Sequence, residues 1–212
     1  MLLQGAGQAL CVWQQRTEAI YFLDVGQGDG ILIRSPDGRN IVIDGGSTSQ
    51  SKCGTYTLLP ALRSQGMTEI DCWFVTHTDE DHISGLKELL LQGKLTQIKV
   101  RTVVFSAYVF QDAALAELEA VIRAAGITIV WMREGDVIGD DTFTLTCLHP
   151  TAEYRAKDKN AASLALAYHS DTFDMLFTGD MDADAVADMD IQQDYDCIKL
   201  PHHGSKYSYV EG

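Results

Sequence analysis

The sequence has no apolar run near the ~18 residues that span a membrane, no C-x-x-C pair, no short-period repeat and no low-complexity stretch. The first absence excludes a membrane-embedded helix. The opening Met1-Leu2-Leu3-Gln4-Gly5 also lacks the basic region and long apolar stretch of a secretory signal, so the chain as written is expected to be soluble. Its five cysteines (Cys11, Cys53, Cys72, Cys147 and Cys197) are scattered and odd in number. That pattern favours free thiols over a disulfide scaffold, with a single bridge as the alternative. Cys72 and Cys147 sit in apolar, strand-like runs, where a thiol behaves as a small hydrophobe.

Positive charge is scarce as well. Sixteen Lys and Arg face 30 Asp and Glu, for a net charge of −14. A domain that grips nucleic acid by neutralising many phosphates needs a basic face, so this balance argues against tight DNA binding by the chain alone. It does not exclude a nuclease, because divalent ions can supply the positive charge at a reacting phosphate.

What is present describes an ordinary globular protein. The hydrophobic fraction of 46% and charged fraction of 22% exclude intrinsic disorder. A length of 212 residues fits one domain, 1–212, able to bury about 70% of its unfolded surface without a disulfide or structural metal. Residues 1–18 read as a linker or first strand. Aliphatic and aromatic runs bounded by Gly, Pro and Asp predict strands at 20–23, 31–33 and 40–44, the first two joined by the glycine-rich segment 24–30. A helix is expected at 58–65 with Gly66 as its stop. Further strands are expected at 71–76, 102–105, 127–132, 142–148, 163–169, 173–177 and 197–200. Helical spacing falls at 86–90, 113–125 and 183–188. Such an order suits two packed sheets with helices outside, a four-layer αββα sandwich of the α/β class. The chain stops just after His202-His203-Gly204-Ser205, where a further helix and strand would be expected, so the C-terminus reads as truncated.

The chemistry concentrates in His77-Thr78-Asp79-Glu80-Asp81-His82, four potential metal ligands within six residues where a strand enters a helix. Imidazole and carboxylate suit borderline and hard divalent ions. The plainer alternative is a polar helix start capped by Asp79 or Asp81. Two later segments repeat the design of ligands at strand ends: Phe177-Thr178-Gly179-Asp180, and Leu200-Pro201 leading into His202-His203. Asp44 ends another strand and is expected to accept a hydrogen bond from a ligand histidine, against the alternative of a simple turn residue. His149 reads as structural and His169 as a surface residue at a turn.

In this order, Asp44, His-x-Asp-x-Asp-His at 77–82, Gly179-Asp180 and His202-His203-Gly204-Ser205 resemble the metallo-β-lactamase superfamily. More narrowly, Asp24-Val25-Gly26-Gln27-Gly28-Asp29 and Leu200-Pro201-His202-His203-Gly204-Ser205 resemble the hydrolase domain of ComEC-type DNA-internalisation competence proteins, over nearly the whole chain. The resemblance implies an αββα fold and two divalent ions, Mn²⁺ or Zn²⁺ with Mg²⁺ as a further option. It implies that His77 and Asp79 bind one ion, Asp81 and His82 the other, and that Asp180 bridges them. His203 would complete the second ion, since His-Gly-Ser matches the His-x-Ser ending of related nucleases, and His202 would approach the substrate or donate a proton. The reverse assignment of the two histidines stays open. Asp81, Asp180 and His202 are the expected catalytic groups.

Two departures from the wider superfamily matter. Asp79 stands where many members have histidine, which hardens the site towards Mn²⁺ or Mg²⁺. The stretch Lys159-Asn160-Ala161-Ala162-Ser163 lacks the histidine that many members carry there, so the first ion is short of protein ligands. β-Lactam hydrolysis is therefore not expected. The expected activity is metal-assisted hydrolysis of DNA phosphodiesters during uptake. The alternatives are a phosphodiesterase for a small or cell-envelope substrate, resembling phosphorylcholine esterases, and a degenerate non-catalytic domain of a DNA-uptake machine. A ComEC-like fragment would lie at the extracytoplasmic face of a bacterial membrane, tethered to a channel domain of the same longer protein. A complete small protein would be cytoplasmic.

Overall fold

The computed structural model describes residues 17–189, 191 and 193–208. Cys11, and the part of the expected linker or first strand before Thr17, lie outside the described residues. Strand β1, Ala19–Phe22, opens a six-stranded sheet in the order β1-β2-β3-β4-β5-β6. β2 (Gly30–Arg34) and β3 (Asn40–Asp44) form an antiparallel hairpin, as the Pro36-Asp37-Gly38 turn allows. From β3 onward the neighbours β4 (Glu69–Phe74), β5 (Lys99–Ser106) and β6 (Thr128–Met132) run parallel. Parallel neighbours require crossovers, supplied by α1 (Leu59–Ser64), α2 (Glu80–Gln92) and α3 (Ala113–Ala124).

All three helices cover one face of this sheet. Leu32, Val42, Trp73, Val103 and Phe105 meet Leu58, Leu62, Ile83, Leu86, Leu118 and Ile122. Alternation along the strands sends Ile31, Ile33, Ile41, Ile43, Phe74 and Val104 to the opposite face. There they pack on Phe143, Leu145, Leu166, Tyr168 and Phe177 of a second sheet. Each such side chain contributes about 1.5–3 kcal/mol by leaving water, so β2 and β3 are held from both sides.

The second sheet has the order β11-β10-β9-β8-β7. It comprises β7 (Val137–Gly139), β8 (Phe143–His149), β9 (Ala165–Ser170), β10 (Asp174–Phe177) and β11 (Cys197–Lys199). Only β10 and β11 pair in parallel. Its outer face is covered by α4, Ala183–Asp188, through Ala165, Met181, Ala185 and Met189. The layers are therefore helix, sheet, sheet, helix, the mixed α/β arrangement expected. Cys53, Cys72, Cys147 and Cys197 are free thiols.

Two elements differ from expectation. The helical turns before β4 begin earlier, with a π-helical segment Gly54–Leu58 that runs into α1. β7 was not expected at all. His169 is exposed but lies within β9, where its ring pairs with Asp174 at 2.6 Å; the turn follows it. His149 is buried, its Nδ1 donating to the Ser163 carbonyl at 2.9 Å.

The topology places the site. β3, β4, β10 and β11 each deliver a polar segment just past a carboxyl end, the position at which open α/β sheets present ligand-binding groups.

Candidate metal centre

Asp44 organises the centre from the end of β3. It is buried and holds a left-handed φ of 56°, which a non-glycine residue adopts only when its surroundings compel it. Its Oδ1 accepts the Thr76 amide at 2.8 Å, and its Oδ2 accepts the Thr76 hydroxyl at 2.7 Å and His82 Nδ1 at 2.8 Å. The carboxylate can only accept, so His82 carries a proton on Nδ1 and leaves Nε2 to the site. The same logic reaches His77. Because the Thr76 hydroxyl donates to Asp44, it accepts from His77 Nδ1 at 3.1 Å, and His77 Nε2 is also left free. Both Nε2 atoms are buried without a hydrogen-bond partner and face carboxylates of the site, Asp79 and Asp180, an arrangement that suits ligands.

Asp180 faces these rings from the loop after β10. Its Oδ2 lies 3.3 Å from His82 Nε2 and 3.2 Å from His203 Nε2. Asp81, from the first turn of α2, is 3.9 Å from His203 Nε2. One donor atom from each of Asp81, His82, Asp180 and His203 lies within 4.8 Å of the others, the size of a cluster around one ion. His203 reaches it from a turn in which His202 and His203 both have positive φ, 48° and 53°. That turn is tied down by the His202 amide donating to the Gly179 carbonyl at 3.2 Å. His202 itself stays outside the cluster, its ring 6.1 Å from that of His203.

His77 and Asp79 stand beside this cluster, Nε2 to Oδ2 being 3.6 Å. Asp79 occupies the N-cap position of α2 but makes no capping bond, which counts against the plainer alternative at this residue, and its Oδ2 is turned to His77. Among the described residues no third His, Cys, Asp or Glu joins this pair at the spacing of the first cluster. The stretch expected to lack a histidine ligand brings the Ser163 hydroxyl to 3.5 Å from His77 Nδ1, where it also accepts the Asp180 amide at 3.1 Å.

Protons and carboxylates balance one another here. Burial works against the charge on Asp180, yet His203, His82 and Lys199 outweigh it and hold its carboxyl well below the usual range. Hydrogen bonds to Asp180 and Asp29 raise His203 to about 9. Burial disfavours the His82 imidazolium, but Asp44 and Asp180 prevail and hold it well above its ordinary value. His77 is pushed down by burial and by its neighbour His82.

Residues 23–152 match the description "Metallo-beta-lactamase superfamily". The chain belongs to this superfamily. ComE operon protein 3 of Bacillus subtilis is 31% identical over 205 residues, taking in 89% of this chain and 26% of that protein. The chain thus spans about a quarter of that relative's length. Among solved structures, a metallo-beta-lactamase from Cronobacter sakazakii superposes with a TM-score of 0.50 at 14% identity, covering 76% of this chain and 60% of the other. The metallo-beta-lactamase fold protein YhfI from Bacillus subtilis gives 0.48 at 16% identity, over 72% and 55%. At such identities the likeness is one of fold.

Within the superfamily's frame, two groups escaped the sequence reading. Asp29 lies 3.4 Å from His203 Nδ1 and 2.5 Å from the ammonium of Lys199. Lys199, largely buried at the end of β11, also reaches Asp180 Oδ1 at 3.3 Å and the Gly179 carbonyl at 2.7 Å. A lysine closing an apolar strand beside two histidines was the available signal for Lys199. For Asp29 it was the acid that closes Gly26-Gln27-Gly28-Asp29. The donors present fit divalent ions: two buried imidazole Nε2 atoms, one carboxylate shared between two imidazoles, and carboxylates on either side.

Proposed function

We propose that this chain is a divalent-metal-dependent phosphodiester hydrolase that acts on DNA during uptake. The observation that carries the reading is the Asp81, His82, Asp180 and His203 cluster, with one oxygen of Asp180 facing two imidazole Nε2 atoms. Asp81, His82, Asp180 and His203 would hold one ion, and His77 and Asp79, with Asp180 shared, a second. Ions at this rim would acidify a water and offset charge developing on phosphorus.

The protein's own groups then have separable tasks. Asp44 sets the tautomers of His77 and His82 through Thr76 and Nδ1. Lys199 engages Asp180 Oδ1 and so leaves Oδ2 to the histidines. Asp81 or Asp180 orients the attacking water, and His202, half-buried beside the cluster, donates a proton to the leaving oxygen. The likeness to ComE operon protein 3 supports DNA as substrate, a channel domain in the same longer protein and an extracytoplasmic position. No helix among the described residues is long and apolar enough to cross a membrane.

The test is cleavage of single- and double-stranded DNA by purified, Mn²⁺-loaded protein. Asp180→Asn is expected to abolish turnover, a loss on the order of a hundredfold or more. Protein that binds Mn²⁺ yet leaves DNA intact would refute the nuclease. The net charge of −14 favours a second reading, a small or cell-envelope phosphodiester, because long DNA gains little from an acidic surface. Faster turnover of an aryl phosphodiester than of DNA would select it.

A further inference from the structure

The stretch without a histidine contributes a cation of its own. Lys159 Nζ lies 3.0 Å from Asp79 Oδ1 and 2.8 Å from Asp112 Oδ2. We propose that Lys159 is a built-in competitor for the cation at His77 and Asp79, and that this side of the centre takes up a divalent ion only as Lys159 gives up Asp79 for Asp112. The inference rests on the metal reading above and deepens it.

Three observations converge on it. Asp79 makes no capping bond to α2, and its two oxygens are divided between Lys159 and the face of His77. Among the described residues, the ammonium therefore sits on the one carboxylate that the His77 side does not share with its neighbour. That side also has too few donors to compensate, since no third ligand group joins His77 and Asp79 at cluster spacing among the described residues. Asp112, finally, gives the lysine somewhere to go. It is fixed at the N-terminus of α3, where its Oδ1 accepts the Leu115 amide at 2.9 Å and the Thr78 hydroxyl at 3.4 Å, while Oδ2 holds the ammonium. Lys159 can thus shift its weight between two carboxylates without losing all compensation for its charge.

A monovalent ammonium and a divalent ion repel strongly at such separations. Occupancy of the His77 side is then an exchange of one cation for another, whereas the cluster of Asp81, His82, Asp180 and His203 lies outside the reach of Lys159's two ion pairs. The two sides should differ in affinity for this reason.

Calorimetric titration of the full chain with Mn²⁺, with bound metal counted after dialysis, tests the exchange. Wild type is expected to bind one equivalent tightly and a second weakly. Lys159→Met should tighten the second on the order of tenfold or more and leave the first unchanged, while Lys159→Arg, which keeps the charge, should leave the second weak. Asp112→Asn should weaken the second further, because the lysine then depends on Asp79 alone. A second equivalent in Lys159→Met no tighter than in wild type overturns the proposal, as does one that tightens equally in Lys159→Arg. Absence of any Mn²⁺ binding in both wild type and Lys159→Met overturns the metal reading together with it. A normal first equivalent beside an unmoved second refutes the role of Lys159 alone.

Discussion

Asp44 accepts from Thr76 twice and from His82 once, at a backbone position with positive φ. Asparagine tolerates that backbone and keeps one carbonyl acceptor for the Thr76 amide, but its NH₂ then takes the place of Oδ2 and faces both the Thr76 hydroxyl and His82 Nδ1. Donating to His82, it forces that ring's proton to Nε2; donating to Thr76, it reverses the hydroxyl that fixes His77. One atom change thus disturbs both sides of the centre. Asp44→Asn is expected to fold and to lose about 10–100-fold in Mn²⁺ affinity, read by titration with thermal melting as the control. An unchanged affinity would show that the histidine tautomers are set elsewhere.

The elements explain how Asp44, Asp29 and α2 come to meet. Gly28 has a φ of 144°, and a Cβ there would stand 2.4 Å from the Asp81 carbonyl and 2.5 Å from that of Gly46. The glycine-rich segment after β1 and the one after β3 therefore lie directly on the first turn of α2. The Asp29 amide donates to the Asp81 carbonyl at 3.1 Å, and the Gly46 amide to the Asp29 carbonyl at 3.1 Å. Gly28→Ala is expected to destabilise the chain by about 1–3 kcal/mol from backbone strain alone, visible as a lower urea midpoint. It should also weaken Mn²⁺ binding, since Asp81 and His82 ride on the displaced turn. A midpoint equal to wild type would mean that the two loops yield easily.

Much of this level was legible in the sequence. β2, β3, β8 and β10 stand out because they are apolar runs between turn formers, and α3 and α4 fall close to their expected bounds. The π-helical segment Gly54–Leu58 was not legible: Gly54, Thr55 and Thr57 are weak helix formers. It forms because Leu58 is buried in the core against α2, and because a Cβ on Gly54 would stand 2.6 Å from the Gly85 carbonyl. β7 is only three residues, Val137–Gly139, too short for an alternation to register. At the site, the candidate donors with local spacing, His77 to His82, stand out in the sequence. Lys199 and Asp29 left only the faint local signals of a strand-closing lysine and an acid after a glycine run, and Lys159, paired with Asp79 and Asp112 far away in the chain, left none.

At the scale of the whole molecule the question is what a net charge of −14 does to a rim already crowded with carboxylates. Asp29, Asp44, Asp79, Asp81 and Asp180 converge there against the ammonium groups of Lys199 and Lys159. Bringing them together on folding costs electrostatic free energy that an unfolded chain avoids. A divalent ion that binds only the folded rim returns part of that cost by mass action, about 2.7 kcal/mol at a concentration a hundredfold above its Kd. For a chain of this size that corresponds to a rise in Tm of about 5–10 °C. General screening of an acidic surface would also raise Tm, but it would not depend on any one carboxylate. Mn²⁺ is therefore expected to stabilise wild type by this amount at constant ionic strength, and Asp180→Asn, which removes the oxygen facing both His82 and His203, should lose most of the shift. Equal shifts in the two proteins would assign the stabilisation to the surface as a whole and leave the rim without a bound ion.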